Sequence, residues 1–533
     1  MKNIGKYILF MFMGVMLTSC FKDLGNYDYN YYDEFEIEAL EKNYSVTSFV
    51  ENLKIVPKIK SNLEDFDYVW FVVRYKKGLH QTEEYADTIS REPVLDVPFE
   101  YATGVYELFL KVTSRDSGEA KYAKTQVTAI TPFMNGYYIL YEDEAGNTDM
   151  DIHYLDGAIT RNAVTAFYGK PLTGSPKYLS YIPEMSYLDE DTGSNVVNYL
   201  MIPASEQEMV TFDMTDMSIA RTPEQWFYGD YDVSNINHIS ALGYSINIYA
   251  KTGVHKNYQI VNSEYGAMLS AGKFAAEADL VSGRHYEVSS DVCYFGDNAF
   301  FYDELNEQFI GVNVNGQLSV YTFQYPPQTT GQLPVTATLD GEIIYIGGVS
   351  PSGVNGYNFM EFMMIVCERD NGSRHWYFVR PGTGVLNIIF KGEFSAGSPF
   401  ANASHYTSCR NGGAYLYAVC PDGIYSFLPN TSAVQKLTFK DLPAGEVTYF
   451  QTMFNVMSDS QDPGYFNHFV IATTSGGNYQ VALYDMIGGI PVLNQGPVKV
   501  LEGEGVVKSI QCANQSKRAG VMSMSTSVFS IHH

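Results

Sequence analysis

The feature that most constrains this chain is a unit that recurs seven times after residue 133: an apolar strand, a polar turn and a second strand. Segments such as GYYILYEDEAGNTDMDIHYLDG, NAFFYDELNEQFIGVNV and NHFVIATTSGGNYQVALYD carry it, with starts near 137, 199, 246, 299, 362, 414 and 468. The spacing of about fifty to sixty residues is slightly above that of familiar propeller blades. Such a unit cannot bury both of its faces alone, so the units must pack around an axis as a β-propeller over 133–533. Seven blades is the expected number, with six and eight as the alternatives. A ring also has to close, and the expected closing strand is Val521–Ile531 (VMSMSTSVFSI), completing the first blade and removing a free edge.

Residues 35–132 have a different rhythm. Runs such as NLKIVPKIK, DYVWFVVRYK, GVYELFLKVTSR and AKYAKTQVTAI are short, rich in β-branched and aromatic residues, and separated by turn residues. About seven strands in a hundred residues, without helical periodicity, describe an immunoglobulin-like sandwich with Trp70 as its central core residue. That pattern is not repeated downstream, which argues against a string of sandwiches. The fold class is therefore all-β: an Ig-like sandwich followed by a propeller.

Ahead of both lies an export signal. Lys2 and Lys6 precede the apolar run Tyr7–Leu17, and Leu17-Thr18-Ser19-Cys20 is a lipobox. Eleven apolar residues span roughly 16 Å as a helix, about half a hydrocarbon core. Residues 1–19 are thus expected to be cleaved, with Cys20 lipidated and 20–34 serving as a tether. Acyl chains contribute ~0.8 kcal/mol per buried methylene and would hold the protein at a membrane. The chain carries 34 basic and 60 acidic residues, a formal charge of −26 that becomes −28 without the signal's two lysines. Such a body does not suit nucleic acid or an anionic lipid surface beyond the anchor. The cysteines at 293, 367, 409, 420 and 512 are odd in number and lack a C-x-x-C. Buried thiols are expected, although Cys409 and Cys420 could pair across a hairpin.

CFKDLGNYDYN after the lipobox, the sandwich, and the first unit GYYILYEDEAGNTDMDIHYLDG together resemble the PKD-like family of surface lipoproteins. Members are encoded with Sus-like (starch-utilisation-type) outer-membrane uptake systems. Lys22 and Asp23 match in part the signal that sends such lipoproteins to the outer face. The resemblance implies an outer-membrane, cell-surface accessory role beside a TonB-dependent transporter and its lidding lipoprotein. It supplies no catalytic residues.

No P-loop, H-E-x-x-H, G-x-S-x-G or nucleotide-binding glycine motif occurs, and no cofactor or metal is expected. The acidic runs Glu142-Asp143-Glu144 with Asp149, Asp151 and Asp156, and Asp189-Glu190-Asp191, do not match a calcium loop and read as solvated turns. Binding has better support, because aromatic rings in polar loops stack on sugars or anchor peptides. Arg221–Asp232 carries Trp226, Tyr228 and Tyr231 without strand or helix period, and Gln324–Pro327 carries Tyr325. The first loop either plugs the core or presents its rings to a glycan or peptide. Three functions follow: a non-catalytic capture subunit of an importer, a propeller hydrolase or lyase, or a structural adaptor without a small ligand.

Overall fold

The structure is a computed structural model. It describes residues 35–514 except 49, 63–64, 78–81, 102–103, 189–194, 230, 243–244, 263–266, 275, 281, 296–297, 314–315, 328–331, 351–361, 410–411 and 455–466. The signal, Cys20, the tether and Val521–Ile531 lie outside the described residues.

The first unit is a sandwich. One layer is a five-stranded sheet in the order Asn43–Thr47, Ala120–Ile130, Gly104–Ser114, Phe66–Lys77, Thr82–Ser90. Against it lie two short pairs, Glu36–Ile37 with Ile59–Lys60, and Asn52–Ile55 with Leu95–Pro98. Alternation sends Leu108, Leu110 and Val112 of one strand inward, as period-2 patterning requires. They meet Trp70, Val72 and Leu95 in one core. Trp70 is wholly buried, and its indole N–H donates to the Glu92 carbonyl at 3.0 Å, satisfying its one polar atom.

After Thr131 the described residues form seven antiparallel four-stranded units, two of which are joined into one sheet where their outer strands, Leu318–Tyr325 and Val385–Phe394, pair in parallel from Thr322 opposite Val385 to Gln324 opposite Asn387. Blade 2 is Pro176–Leu188, Asn195–Ser205, Thr211–Asp213 and Ile219–Arg221; blade 3 is Ile236–Leu242, Ser245–Ala250, Gly253–Asn262 and Ala267–Phe274. Blade 4 is Cys293–Phe295, Asn298–Asp303, Gln308–Asn313 and Leu318–Tyr325; blade 5 is Glu342–Val349, Phe362–Glu368, Arg374–Gly382 and Val385–Phe394. Blade 6 is His405–Ser408, Leu416–Cys420, Gly423–Leu428 and Ala433–Leu437; blade 7 is Glu446–Phe454, Asn467–Ser475, Asn478–Ile487 and Lys499–Glu504. Blade 1 joins Asn135–Glu142, Thr148–Tyr154 and Ile159–Thr160 to the late strand Val506–Asn514. The first strand of each blade, with Val506–Asn514 standing first in blade 1, faces its neighbours around the axis. Apolar clusters fill the spaces between successive blades.

The seven expected starts coincide with the second strand of each blade, so the count stands and the innermost strands were the ones not recognised. The closure differs in place. Val506–Asn514 pairs antiparallel with Asn135–Glu142, from Asn135 opposite Asn514 to Glu142 opposite Val506. The chain enters this strand from blade 7 through Gly505, at φ +103°, where a Cβ would lie 2.4 Å from the Tyr141 ring. Only glycine combines that φ with so close an approach.

Candidate functional site: an axial pocket

The innermost strands share a local irregularity. In five blades one extra residue interrupts the pairing of the inner strand with the second strand: Lys508, Lys177, Asn237, Ile344 and Thr448. A bulge of this kind re-aims a side chain and kinks the strand. In six blades an aromatic residue stands at the corresponding next position: Tyr178, His238, Tyr294, Tyr345, Tyr406 and Tyr449. Tyr178, Tyr345 and Tyr406 are buried in the spaces between blades.

Four of the five extra residues (Lys508, Lys177, Ile344, Thr448) line one cavity of about 590 Å³ at a mouth of the ring. Blades 1, 2, 5, 6 and 7 all contribute, blade 6 through Ser404, His405 and Tyr406. Tyr449 donates its hydroxyl to Gln451 Oε1, and Tyr406 donates to the Phe400 carbonyl at 2.8 Å while accepting from Arg374 at 2.9 Å. Burial pushes the Tyr406 phenol up to about 12. Gln511 is 3 % exposed; its amide nitrogen donates to the Leu179 carbonyl at 3.0 Å, and its Oε1 is buried without a partner among the described residues. The half-buried Lys177 ammonium donates to the Ser234 carbonyl at 2.7 Å, and desolvation pushes its pKa down. The lining is thus mostly hydroxyl, amide and ammonium, the equipment of a site for a polar ligand.

A second polar concentration lies at the seam between blades 7 and 1, where cavities of about 580 and 500 Å³ share Tyr141, Asn162, Asn478 and Glu504. Asp151, 1 % exposed, accepts from Asn162 N at 2.9 Å, Arg161 at 2.6 Å and the Tyr479 hydroxyl at 2.6 Å. Asp149 accepts from the backbone of Met150 and Val164 and from the Thr165 hydroxyl, at 2.7, 3.0 and 2.5 Å. Burial pushes its carboxyl up and these donors pull it back. His153 lies 3.2 Å from the Tyr479 hydroxyl, and burial pushes its imidazole down to about 4. Asp149 and Asp151 were expected in a solvated turn; they are buried acceptors that bind Arg161, Asn162 and the first turn of the helix Ala163–Tyr168 to the first blade. Most of their donors lie within sixteen residues, but Tyr479 comes from a blade more than three hundred residues later, which local reading could not supply. No group of His, Cys, Asp and Glu able to hold a metal is found among the described residues.

The loop Arg221–Asp232 folds back on blades 2 and 3. Pro223–Trp226 forms one helical turn, and Thr222 N donates to Gln225 Oε1 at 2.8 Å, half of a capping box. Trp226 is wholly buried: its N–H donates to Thr211 Oγ1 at 3.0 Å and its ring packs on Phe274 at 5.4 Å. That is the placement of a plug, with no ring face left for a ligand. Tyr231 is partly buried and stacks on Phe227 at 4.4 Å, whereas Tyr228 is 49 % exposed with Lys273 over its ring. Tyr325 ends the outer strand of blade 4, with Lys391 5.0 Å from its ring centre. None of these four residues lines the axial pocket. Trp376 packs between blades against Phe427, and Cys409 and Cys420 are buried thiols rather than a disulfide.

The pocket residues Lys177, His405, Tyr449, Gln451, Lys508 and Gln511 escaped sequence reading. A signal was present: Lys177-Tyr178, Ile344-Tyr345, His405-Tyr406 and Thr448-Tyr449 recur in four of the seven blades, each ahead of the recognised hairpin of its blade.

Residues 20–176 match the model of the PKD-like family, a span that takes in the sandwich and three of the four strands of blade 1. No curated protein matches the sequence. Among solved structures the chain is similar to a quinonprotein alcohol dehydrogenase-like protein from Bacteroides thetaiotaomicron, at 13 % identity and TM-score 0.36, covering 90 % of this chain and 99 % of that one. It is also similar to an auxiliary nutrient binding protein from Bacteroides ovatus, at 10 % identity and TM-score 0.25, covering 82 % and 95 %. A third similar structure is PorZ, a surface component of the type-IX secretion system of Porphyromonas gingivalis, at 8 % identity and TM-score 0.18, covering 85 % and 59 %.

Proposed function

We propose that this chain is a lipid-anchored, surface-exposed outer-membrane protein that captures a nutrient glycan or peptide in its axial pocket without transforming it. In this reading it serves as an accessory to a TonB-dependent transporter and its lidding lipoprotein. The observation that carries the reading is the pocket itself: five blades converge on about 590 Å³ lined by hydroxyls, amides and two lysines. Sites of this size and polarity hold small ligands or chain ends. The lipobox at Cys20 and the acidic body support placement outside the cytoplasm, tethered but held off the bilayer.

The test is binding of polysaccharide and peptide pools to the purified protein and to Tyr449→Ala and Gln451→Ala. Loss of an anchoring ring commonly costs a site ~2 kcal/mol, about thirtyfold in affinity. Binding that survives both substitutions moves the capture site off the axis. For the anchor, Cys20→Ala is expected to abolish fatty-acid labelling and release the protein from outer membranes. Retention of both would refute the lipobox.

A further inference from the structure

The extra residues of the inner strands are unlike the rest of the chain in charge. Acidic residues outnumber basic ones 60 to 34 overall. Yet the positions that the bulges turn out of the ladder are Lys177, Asn237, Ile344, Thr448 and Lys508, and the position before Tyr406 in blade 6 is His405. None is a carboxylate. Lys177 and Lys508 occupy equivalent positions on adjacent inner strands, which Gln511 joins through its bond to Leu179. The two acids lining the same cavity, Glu142 and Glu206, come from the end of a second strand and from the turn after one. Neither lysine forms an ion pair with a described residue, in contrast to Lys54, Lys124, Lys170 and Lys436.

We infer that the axial pocket selects a carboxylate-bearing saccharide, a uronate-containing oligosaccharide, with Lys177 and Lys508 receiving the carboxylate. This rests on the reading of the pocket as the capture site. Lys177 has one carbonyl acceptor for its three donors, and two N–H groups remain to be satisfied. Its desolvation lowers its pKa and outweighs the opposing charges of Glu206 and Asp232, so a further anion in the pocket would favour its charged form. Gln511 lines the cavity and is held in place by the bond of its amide nitrogen to the Leu179 carbonyl. Ser404, Thr448, Tyr449 and Ser509 add hydroxyls around it, and the partly buried Tyr449 offers a ring. An extended acidic peptide fits less well. Peptides that add to a sheet need an unbroken row of backbone partners, and bulges at the same level of five inner strands interrupt that row.

The experiment is calorimetric titration of the full-length protein with oligogalacturonate, oligoalginate, neutral galacto-oligosaccharide and oligoglutamate, repeated with Lys177→Gln, Lys508→Gln and the double variant. At least one uronate is expected to bind tenfold or more tightly than the neutral sugar. Each lysine substitution should weaken it about tenfold without moving the melting temperature, and added salt should weaken it further. Lys508 is exposed, so its variant keeps the test valid should Lys177→Gln disturb folding. Equal binding of neutral and acidic sugars, unaffected by the lysine variants, overturns the charge selection and leaves capture intact. Preference for oligoglutamate overturns the saccharide. Binding of none of the four, with pool binding still abolished by Tyr449→Ala, refutes the uronate alone; absence of both refutes the capture reading as well.

Discussion

The two faces of one strand, Thr148–Tyr154, solve the same packing problem by different means. All seven residues are buried. Met150, Ile152 and Tyr154 point toward blade 2 and join an apolar cluster with Leu179, Met201 and Phe212. Asp149, Asp151 and His153 point the other way, toward Asn162, the first turn of the helix Ala163–Tyr168 and Tyr479 of blade 7. The apolar face gains from area removed from water and is nearly indifferent to small sliding motions. The polar face gains little net free energy, yet each donor has one acceptor at one distance. The contrast teaches where a ring needs direction. Blades 1 and 2 follow one another along the chain, whereas the strands of blade 1 between Asn135 and Thr160 meet blade 7 only when the chain has gone round. A directional network there fixes how the last blade meets the first.

The largest effect should come from removing the strand that serves both faces. Val507 and Ile510 of Val506–Asn514 pack into the seam, and Ala513 packs toward blade 2. Chains ended after Gly505 and after Asn514 differ by this strand alone. The shorter one is expected to lose more than about 5 kcal/mol, as much as many proteins have in total, and to lack a cooperative melt. Equal melting of the two chains would mean that the ring holds without its closing pair.

Rescue experiments separate the faces next. Met150→Ala should cost about 3 kcal/mol, and Met150→Leu should restore most of it, because volume is what that face needs. Asp151→Ala should cost about 3 kcal/mol as well, through the buried donors it abandons, Arg161 (43 % exposed at its side chain) recovering water in part. Here Asp151→Leu should restore nothing. If leucine rescues both positions in chemical denaturation, the seam is an ordinary hydrophobic contact and the comparison fails.

Acid should weaken the polar face selectively. The His153 imidazole is held near 4 in the folded chain, against an ordinary value of about 6.5. Between those values the unfolded chain takes up the proton and the folded chain does not. Its contribution is therefore intact above pH 6.5 and declines as pH falls toward 4. Between pH 7.5 and 5.5 wild type should lose about 1.5 kcal/mol more than His153→Gln. Parallel pH profiles for the two proteins would show that His153 titrates normally.

The same contrast explains what the sequence disclosed. Outer hairpins such as Asn467–Ser475 with Asn478–Ile487 are long apolar runs around a polar turn, so local pattern announces them. The innermost strands read KYLSY, NHISA, HYTS and KSIQC, where doubled residues and polar positions break the alternation. Their structure depends on the ring, and so does the pocket they line. Trp226 was legible as a residue that needed burial, but its partners Thr211 and Phe274 belong to two different blades. In TDMDIHY the period-2 pattern did place two aspartates and a histidine on one face. Whether that face met water or Tyr479 was settled only at the far end of the chain.

The smallest prediction compares single hydroxyls on the two faces. Tyr479 donates to the buried Asp151 at 2.6 Å, while Tyr154 on the apolar face exchanges a neutral bond with Thr160 at 2.9 Å. A hydrogen bond to a charged acceptor is worth more than one between neutral groups, and Asp151 keeps two donors when the phenol is lost. Tyr479→Phe should therefore cost about 1 kcal/mol and Tyr154→Phe about half of that. Combined with Asp151→Asn, Tyr479→Phe should show a coupling of at least about 0.5 kcal/mol, and Tyr154→Phe a smaller one, because only the first pair shares a bond. Equal coupling in the two cycles would mean that the carboxylate acts on the blade as a whole rather than through the Tyr479 hydroxyl.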